Sequence, residues 1–403
     1  MTEHTNTPEL RFPEFKDEWK LQKLGNLAQF SKGKSLSKKD LNINGNPCIL
    51  YGELYTKYGA ILNKVYSKTS TQNDSLIFSK RNQILIPSSG ETDIDIATAT
   101  AIDTDVKIAI GGDLNIITPI NSDGRFISLY INGKGKYNLA KYAQGKSVVH
   151  LYNSDIKKLN FYLPTNMAEQ KKIGDFFSKL DRQIELEEKK LELLEQQKRG
   201  YMQKIFSQGL RFKDEEGNYY KEWNTKQLKD VLEFSNKRTT NENEYPVLTS
   251  SRQGLILQSD YYKDGKTFAE SNIGYFILPK NYITYRSRSD DGIFKFNLNQ
   301  IIDVGIISKY YPVFKGINTN QYYLTLHLNY RLKKEYIKYA TGTSQLVLSQ
   351  KNLQNIQTKL PSYEEQTKIA NFLSELDKLI EKQSDKVELL KDRKKGLLQK
   401  MFV

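Results

Sequence analysis

Leu163-Pro164 … Glu169-Gln170-Lys171-Lys172-Ile173 … Leu180-Asp181 and Leu360-Pro361 … Glu365-Gln366-Thr367-Lys368-Ile369 … Leu376-Asp377 are one pattern carried twice by a single chain. Behind each proline begins a 4–3 spacing of apolar residues. The first seam runs through Ile173, Phe177, Leu180, Ile184, Leu191, Leu194, Tyr201 and Ile205. The second runs through Ile369, Leu373, Leu376, Ile380, Val387, Leu390, Leu397 and Met401. A seam of this kind predicts coiled-coil helices. Its polar breaks fall at matched places, Glu187 with Gln383 and Lys198 with Lys394, where long stems can still cover apolar neighbours.

The repeat extends beyond the helices. Leu10-Arg11-Phe12 precedes Glu18-Trp19, and Leu210-Arg211-Phe212 precedes Glu222-Trp223; these are the only two tryptophans. Leu24, Leu27 and Phe30-Ser31 follow the first, and Leu228, Val231 and Phe234-Ser235 follow the second, at a spacing that predicts a short amphipathic helix. Tyr142-Ala143-Gln144-Gly145 matches Tyr339-Ala340-Thr341-Gly342. Between these landmarks the copies diverge. Both alternate β-type runs with turns: 83–87 and 114–117 in the first, 274–279 and 322–326 in the second.

The plan is a disordered stretch 1–9, a globular domain 10–165, a helix 166–206, a second domain 207–362 and a second helix 363–403. The fold class is α+β: two mixed α/β domains separated by two long helices. The linker 207–209 is short, so the second helix starts from the far end of the second domain. The helices then pair antiparallel as a coiled coil. That gives a pseudo-twofold repeat with a domain at each end. From Ile173 to Ile205 such a helix spans about 48 Å, close to one turn of DNA or slightly more.

The formal net charge is +14 over 403 residues, which favours a polyanionic partner, nucleic acid foremost. Cys48 is the only cysteine, so no disulfide forms within the chain and no thiol cluster holds zinc. Residues 1–9 lack the apolar core of a signal peptide, and no apolar run reaches the ~20 residues of a membrane span. A cytoplasmic protein away from membranes is expected.

A search for chemistry finds no candidate catalytic or metal-binding residues. His4, His150 and His327 lie far apart in sequence and lack metal-ligand spacing. Gly145-Lys146-Ser147 has Ala140 where a phosphate-binding loop wants glycine. Gly133-Lys134-Gly135 has Asn138 where a dinucleotide fingerprint wants its third glycine. The Asn/Asp-Pro-Pro-aromatic tetrapeptide of adenine methyltransferases is missing, Asn46-Pro47-Cys48 coming nearest.

Two post-proline helices, each behind a divergent domain, resemble the specificity subunits of type I restriction–modification enzymes over essentially the whole chain. One small departure is an extra residue between Pro164 and Glu169 relative to Pro361 and Glu365. The resemblance implies two target recognition domains, each reading one half of a split site in double-stranded DNA. It implies two modification subunits held by the helices, which transfer a methyl group from S-adenosylmethionine to adenine N6. It further implies two restriction subunits supplying ATP-driven translocation and cleavage. The cofactors, S-adenosylmethionine, ATP and Mg, then belong to the partners and none to this chain. A specificity subunit serving methylation only, or a coiled-coil scaffold that binds no DNA, remain alternatives.

Base edges are read by paired hydrogen bonds, above all Arg with guanine and Asn or Gln with adenine. Phosphates are met by Lys, Arg and small hydroxyls. The base-reading candidates in the second domain are Thr249, Ser250, Ser251, Arg252 and Gln253, with Tyr285, Arg286 and Arg288. In the first domain they are Ser88, Ser89 and Thr92. Lys32, Lys34, Lys38, Lys39, Lys146, Ser147, Asn236, Lys237 and Arg238 are the phosphate candidates.

Overall fold

The computed structural model describes residues 6–34, 36–62, 64–72, 76–261, 271–343 and 345–403. It divides into two compact units, Met1–Lys190 with Gln383–Val403, and Leu191–Lys382. Each unit holds one globular domain and a stretch of both long helices, α1 (Met167–Phe206) and α2 (Tyr363–Lys400).

The two units are built on one plan. In the first, an antiparallel sheet runs in the order Ala28–Lys32, Leu114–Pro119, Ile84–Pro87, Thr100–Ala101. In the second, Leu232–Ser235, Val313–Gly316, Ile283–Tyr285 and Phe296–Leu298 take the same order and sense. A strand pair lies at the head of each long helix: Lys20–Lys23 with Asn160–Leu163, and Asn224–Gln227 with Gln357–Leu360. Behind each sheet sits one substantial domain helix, Gly124–Asn132 capped by Asp123 and Gln321–Tyr330 capped by Asn320.

The units differ in what is added. The first carries a second sheet ordered Leu41–Asn42, Ser67–Thr69, Asn46–Ile49, Ala109–Ile110. The second carries the hairpin Leu248–Ser250/Leu255–Leu257 and the pair Phe276–Pro279/Val304–Ile307. Each addition has its own apolar centre: Ile49, Leu54, Leu85 and Ile116 in one, Leu248, Phe276, Leu278 and Val313 in the other.

The repeated motifs form the joint between domain and helix. Arg11 grips the Glu169 carboxylate through Nε at 2.6 Å and Nη2 at 2.8 Å, and Trp19 Nε1 donates to it at 3.2 Å. Arg211 grips Glu365 the same way, at 3.0 and 3.2 Å. Gln170 donates to the Pro164 carbonyl at 2.8 Å and accepts from Asp123 N at 3.0 Å. Gln366 repeats both bonds with Pro361 and Asn320. The Glu-Gln pair thus ties the first turn of the helix to the N-terminal arm, the preceding strand and the domain helix together. All four side chains are at most 2% exposed, where an unpaired polar group costs most.

Within each unit α1 and α2 run antiparallel, as the short linker requires. In the first, Asp181 meets Lys394 at 2.5 Å while Gln383 Nε2 donates to the Glu187 carbonyl at 3.0 Å and carboxylate at 2.7 Å, so numbers rise on one helix as they fall on the other. In the second, Lys198 meets Asp377 and the Tyr201 ring stands edge-on to Phe372 at 4.9 Å. Every seam residue named above is buried or half-buried. The polar breaks are therefore partners and not gaps: each lysine answers the aspartate of a Leu-Asp pair, and Gln383 answers Glu187.

Several expectations are corrected. The run after each tryptophan is not a short amphipathic helix but two strands around a single turn, Leu24–Leu27 or Leu228–Asp230. Lys20–Lys23 and Ala28–Lys32 find strand partners on either side of that turn, and pairing outweighs a one-turn helix. Residues 322–326 are helical, not β-type, because the Asn320 side chain caps Tyr323 N at 3.0 Å and starts a helix that is largely buried. Its aromatic content reflects burial and not a strand. Of the expected disordered stretch, 1–5 lie outside the described residues. Residues 6–9 are tied down: Asn6 O accepts from Trp19 N at 3.1 Å, and Glu9 pairs with Lys400 at 2.8 Å. Among the described residues no helix is long and apolar enough to cross a membrane.

Candidate nucleic-acid interface

The repeat places the two proposed reading loops at equivalent positions. Ile84–Pro87 runs into Ser88, whose carbonyl accepts from Leu151 N at 3.1 Å, and Ser89–Gly90 then pairs with Val149–His150. Ile283–Tyr285 runs into Ser287, whose carbonyl accepts from Leu348 N at 2.9 Å, and Arg288–Ser289 then pairs with Leu346–Val347. Ser89 therefore corresponds to Arg288, and Pro87 to Arg286. The repeated glycines turn the neighbouring loop. Gly145 and Gly342 have φ of +123° and +113°, and a Cβ there would lie 2.1 or 2.2 Å from a carbonyl oxygen, so only glycine fits.

In the second unit Ser250, Ser251, Arg252, Arg286 and Arg288 line one cleft, with Ser289, Asp290, Ile293 and Lys295. Two loops read separately from sequence thus converge. Their side chains differ in freedom. Arg252 is held by Asp291 at 2.7 Å. Asp291 is in turn kept at about 2 by the Ile293 amide first and the Ser289 hydroxyl next, so it stays ionised. Arg288 lies over the Tyr310 ring at 5.6 Å. Arg286 is exposed and has no ion-pair or hydrogen-bond partner among the described residues. It also lines a neighbouring cleft with Arg288, Ser308, Tyr310, Tyr311 and Gln345. Lys295 is half-buried, and burial holds its ammonium below the ordinary value, with repulsion from Lys198 and Lys333 adding to this.

Three base-reading candidates are corrected by burial, and a fourth, Thr92, is exposed but engaged as a helix cap. Tyr285 is fully buried, stacks on Phe296 at 4.7 Å and donates to the Leu348 carbonyl at 2.9 Å; its whole strand is buried. Ser250 is buried and accepts from Asn297 Nδ2 at 2.8 Å. Ser88 is buried against Asp113 and Leu151. Thr92 caps the helix Asp93–Ile96, accepting from Asp95 N at 3.1 Å. Ser251 is occupied within its own turn by Gly254, leaving Thr249 half-exposed and Gln253 exposed. Ser89 is half-buried.

The phosphate candidates scatter more widely. Lys146 and Ser147 are exposed in the loop turned by Gly145, adjoining the Ser89 strand pair. Lys32 lies over the Tyr152 ring at 5.8 Å, and Tyr152 stacks on His150, the strand partner of Ser89. Lys34 is exposed, and Lys38 and Lys39 are exposed on the turn Lys38–Asp40. Asn236 and Lys237 are exposed, but Arg238 lies 4.0 Å from the Phe276 ring centroid and donates to the Gly274 carbonyl at 2.8 Å, a local brace. His150, Tyr152, Lys295 and Tyr310 adjoin these loops although none is a nucleic-acid candidate by sequence. Their sequence contexts carry no motif, and only the folded strand pairs bring them to the loops.

Among the described residues no group of three or more His, Cys, Asp or Glu side chains could hold a metal ion. His327 is fully buried, bonded to Thr358 through Nε2 at 2.7 Å, and belongs to the second unit's core.

Comparison with known proteins finds the same duplication. A family model for the type I restriction modification DNA specificity domain matches twice, at residues 16–196 and 220–389. The type I restriction enzyme MjaVIII specificity subunit of Methanocaldococcus jannaschii is 26% identical, with 96% of this chain and 92% of that protein covered. A putative MjaX specificity subunit from the same organism is 27% identical over 47% of this chain and 48% of the relative. Among solved structures, the S subunit of a type I restriction–modification system from M. genitalium shares the fold with a TM-score of 0.63 at 17% identity, covering 98% of this chain and 99% of that one. With both units matched, this chain belongs to the type I restriction–modification DNA specificity family, and carries its specificity domain twice.

Proposed function

We propose that the chain is the sequence-specific DNA-reading subunit of a type I restriction–modification complex. Each domain reads one half of a bipartite target in double-stranded DNA, and the paired helices set the unread gap. The observation that supports this best is one shared plan built twice with different added sheets. A common scaffold with unequal exposed loops suits two different half-sites. The cleft lined by Arg286 and Arg288 offers two exposed guanidinium forks, the group that direct readout of guanine uses, and this supports the reading.

Chemistry is delegated in this reading. Two modification subunits held on the helices transfer a methyl group from S-adenosylmethionine to adenine N6, and two restriction subunits use ATP and Mg to translocate and cut. The chain contributes position: it fixes which adenine the partners meet.

The test is binding of the full chain to duplex DNA across a salt series. Affinity should fall linearly on a log–log plot as phosphate contacts release counterions. A chain that fails to bind duplex even at low salt contradicts the proposal and favours a scaffold role.

A further inference from the structure

The two domains differ in whether any arginine is left without a carboxylate partner. Residues 10–165 contain three arginines, and each is ion-paired: Arg11 with Glu169, Arg81 with Asp103 and Asp105, Arg125 with Asp103, Asp123 and Asp175. Residues 207–362 contain six. Arg211 is engaged by Glu365, Arg252 by Asp291, and Arg238 by Phe276 and Gly274, while Arg331 is exposed at a separate cleft with Thr225, Glu335 and Gln357. Arg286 and Arg288 are exposed and face no carboxylate within ion-pair distance among the described residues. The nearby acids are engaged elsewhere, Asp291 by Arg252 and Ser289, Asp290 by Gln345.

Guanine presents two acceptors, O6 and N7, in the major groove, and the planar fork of an arginine meets both. A guanidinium paired with a carboxylate must first leave that partner, at small cost where the pair is exposed, whereas Arg286 and Arg288 have none to leave. The fork must also be held so that its direction is fixed before DNA arrives. Arg288 has that support from its strand pairing with Val347 and from the Tyr310 ring beneath it. Arg286 sits two residues earlier, at the edge shared by two clefts. At the equivalent positions the first domain has Pro87 and Ser89, which offer no fork.

Resting on the reading of the chain as a DNA-recognition subunit, we propose that Arg286 and Arg288 are a guanine-reading pair. The half-site bound by the second domain then contains obligatory G·C pairs contacted by arginine, and the half-site bound by the first domain is read without arginine. Lys295, at the wall of the same cleft, supplies positive charge that draws the duplex in without selecting a base.

Selection from a randomised duplex library tests this, with the full chain and its Arg286→Ala, Arg286→Lys and Arg288→Ala variants at one fixed salt concentration. The wild type should enrich two half-sites, one with required guanine. Each variant should relax a guanine in that half alone, lowering discrimination there by roughly 5- to 150-fold, and leave the other half intact. Arg286→Lys keeps the charge and loses the fork, so relaxation there separates bidentate reading from attraction. Uniformly weaker binding with both half-sites unchanged would make these phosphate contacts and overturn the proposal. So would a wild-type half-site pair in which no variant alters a guanine. No enrichment by the wild-type chain would overturn the underlying DNA-reading assignment along with it.

Discussion

Arg11–Glu169 and Arg211–Glu365 show what can and cannot be read from single residues. Both motifs stand out in the sequence as repeats, but their partnership does not, because 158 and 154 residues separate the members. Only folding brings them together, and it does so with the same two-bond Arg–Glu grip in both units. Breaking such a pair leaves a carboxylate or guanidinium stranded near the core, so Glu365→Ala should destabilise the second unit by about 3 kcal/mol. Urea unfolding followed by Trp223 fluorescence measures this; a loss under about 0.5 kcal/mol would show the joint to be dispensable. His327 was equally illegible, a lone histidine in an aromatic run. Complete burial, aided by Arg331, lowers it to about 3 from 6.5. The unfolded chain then binds the proton across that window and the folded chain does not. Stability is therefore full above about pH 6.5 and falls as the pH drops, with a slope of up to about 1.4 kcal/mol per unit. His327→Gln should flatten that slope; parallel curves for the two proteins would contradict it.

The long helices were the most legible elements, since a seam of ten matched layers needs no tertiary information. Their polar layers were less so: Lys198 and Lys394 read as breaks covered by their own stems, because the partner of each lies on the other helix. Burial pushes the Asp181 carboxyl above its ordinary value, with Lys394 opposing the shift. Lys394→Met should strand Asp181 and cost about 1–3 kcal/mol at neutral pH. In the variant the raised carboxyl binds its proton at a higher pH when folded than when unfolded, so the deficit shrinks as the pH is lowered toward the ordinary carboxylate range. A deficit constant with pH, measured by denaturant titration, would mean the pair carries no charge-specific role. The domain strands were the least legible. Most are two to four residues long, too short for alternation to declare itself, and the helix Gln321–Tyr330 mimicked a strand by its aromatic content. The same weakness misplaced Tyr285, which is buried with its whole strand while the adjacent Arg286 is exposed.

For the molecule as a whole, duplication was legible because matched motifs bracket each domain, and the basic balance pointed to a polyanion. The second sheet of the first domain and the hairpin of the second were not legible, since the stretches that build them share no pattern with each other. That divergence is what a reader of two unequal half-sites requires. Mapping methylated adenines across the genome of a host with and without this gene measures the outcome. The account predicts that removal abolishes one split motif, two short specified blocks at a fixed unspecified gap, and leaves other methylation unchanged. Loss of a continuous, ungapped motif, or an unaltered methylation map in a host whose partner subunits are intact, would contradict it.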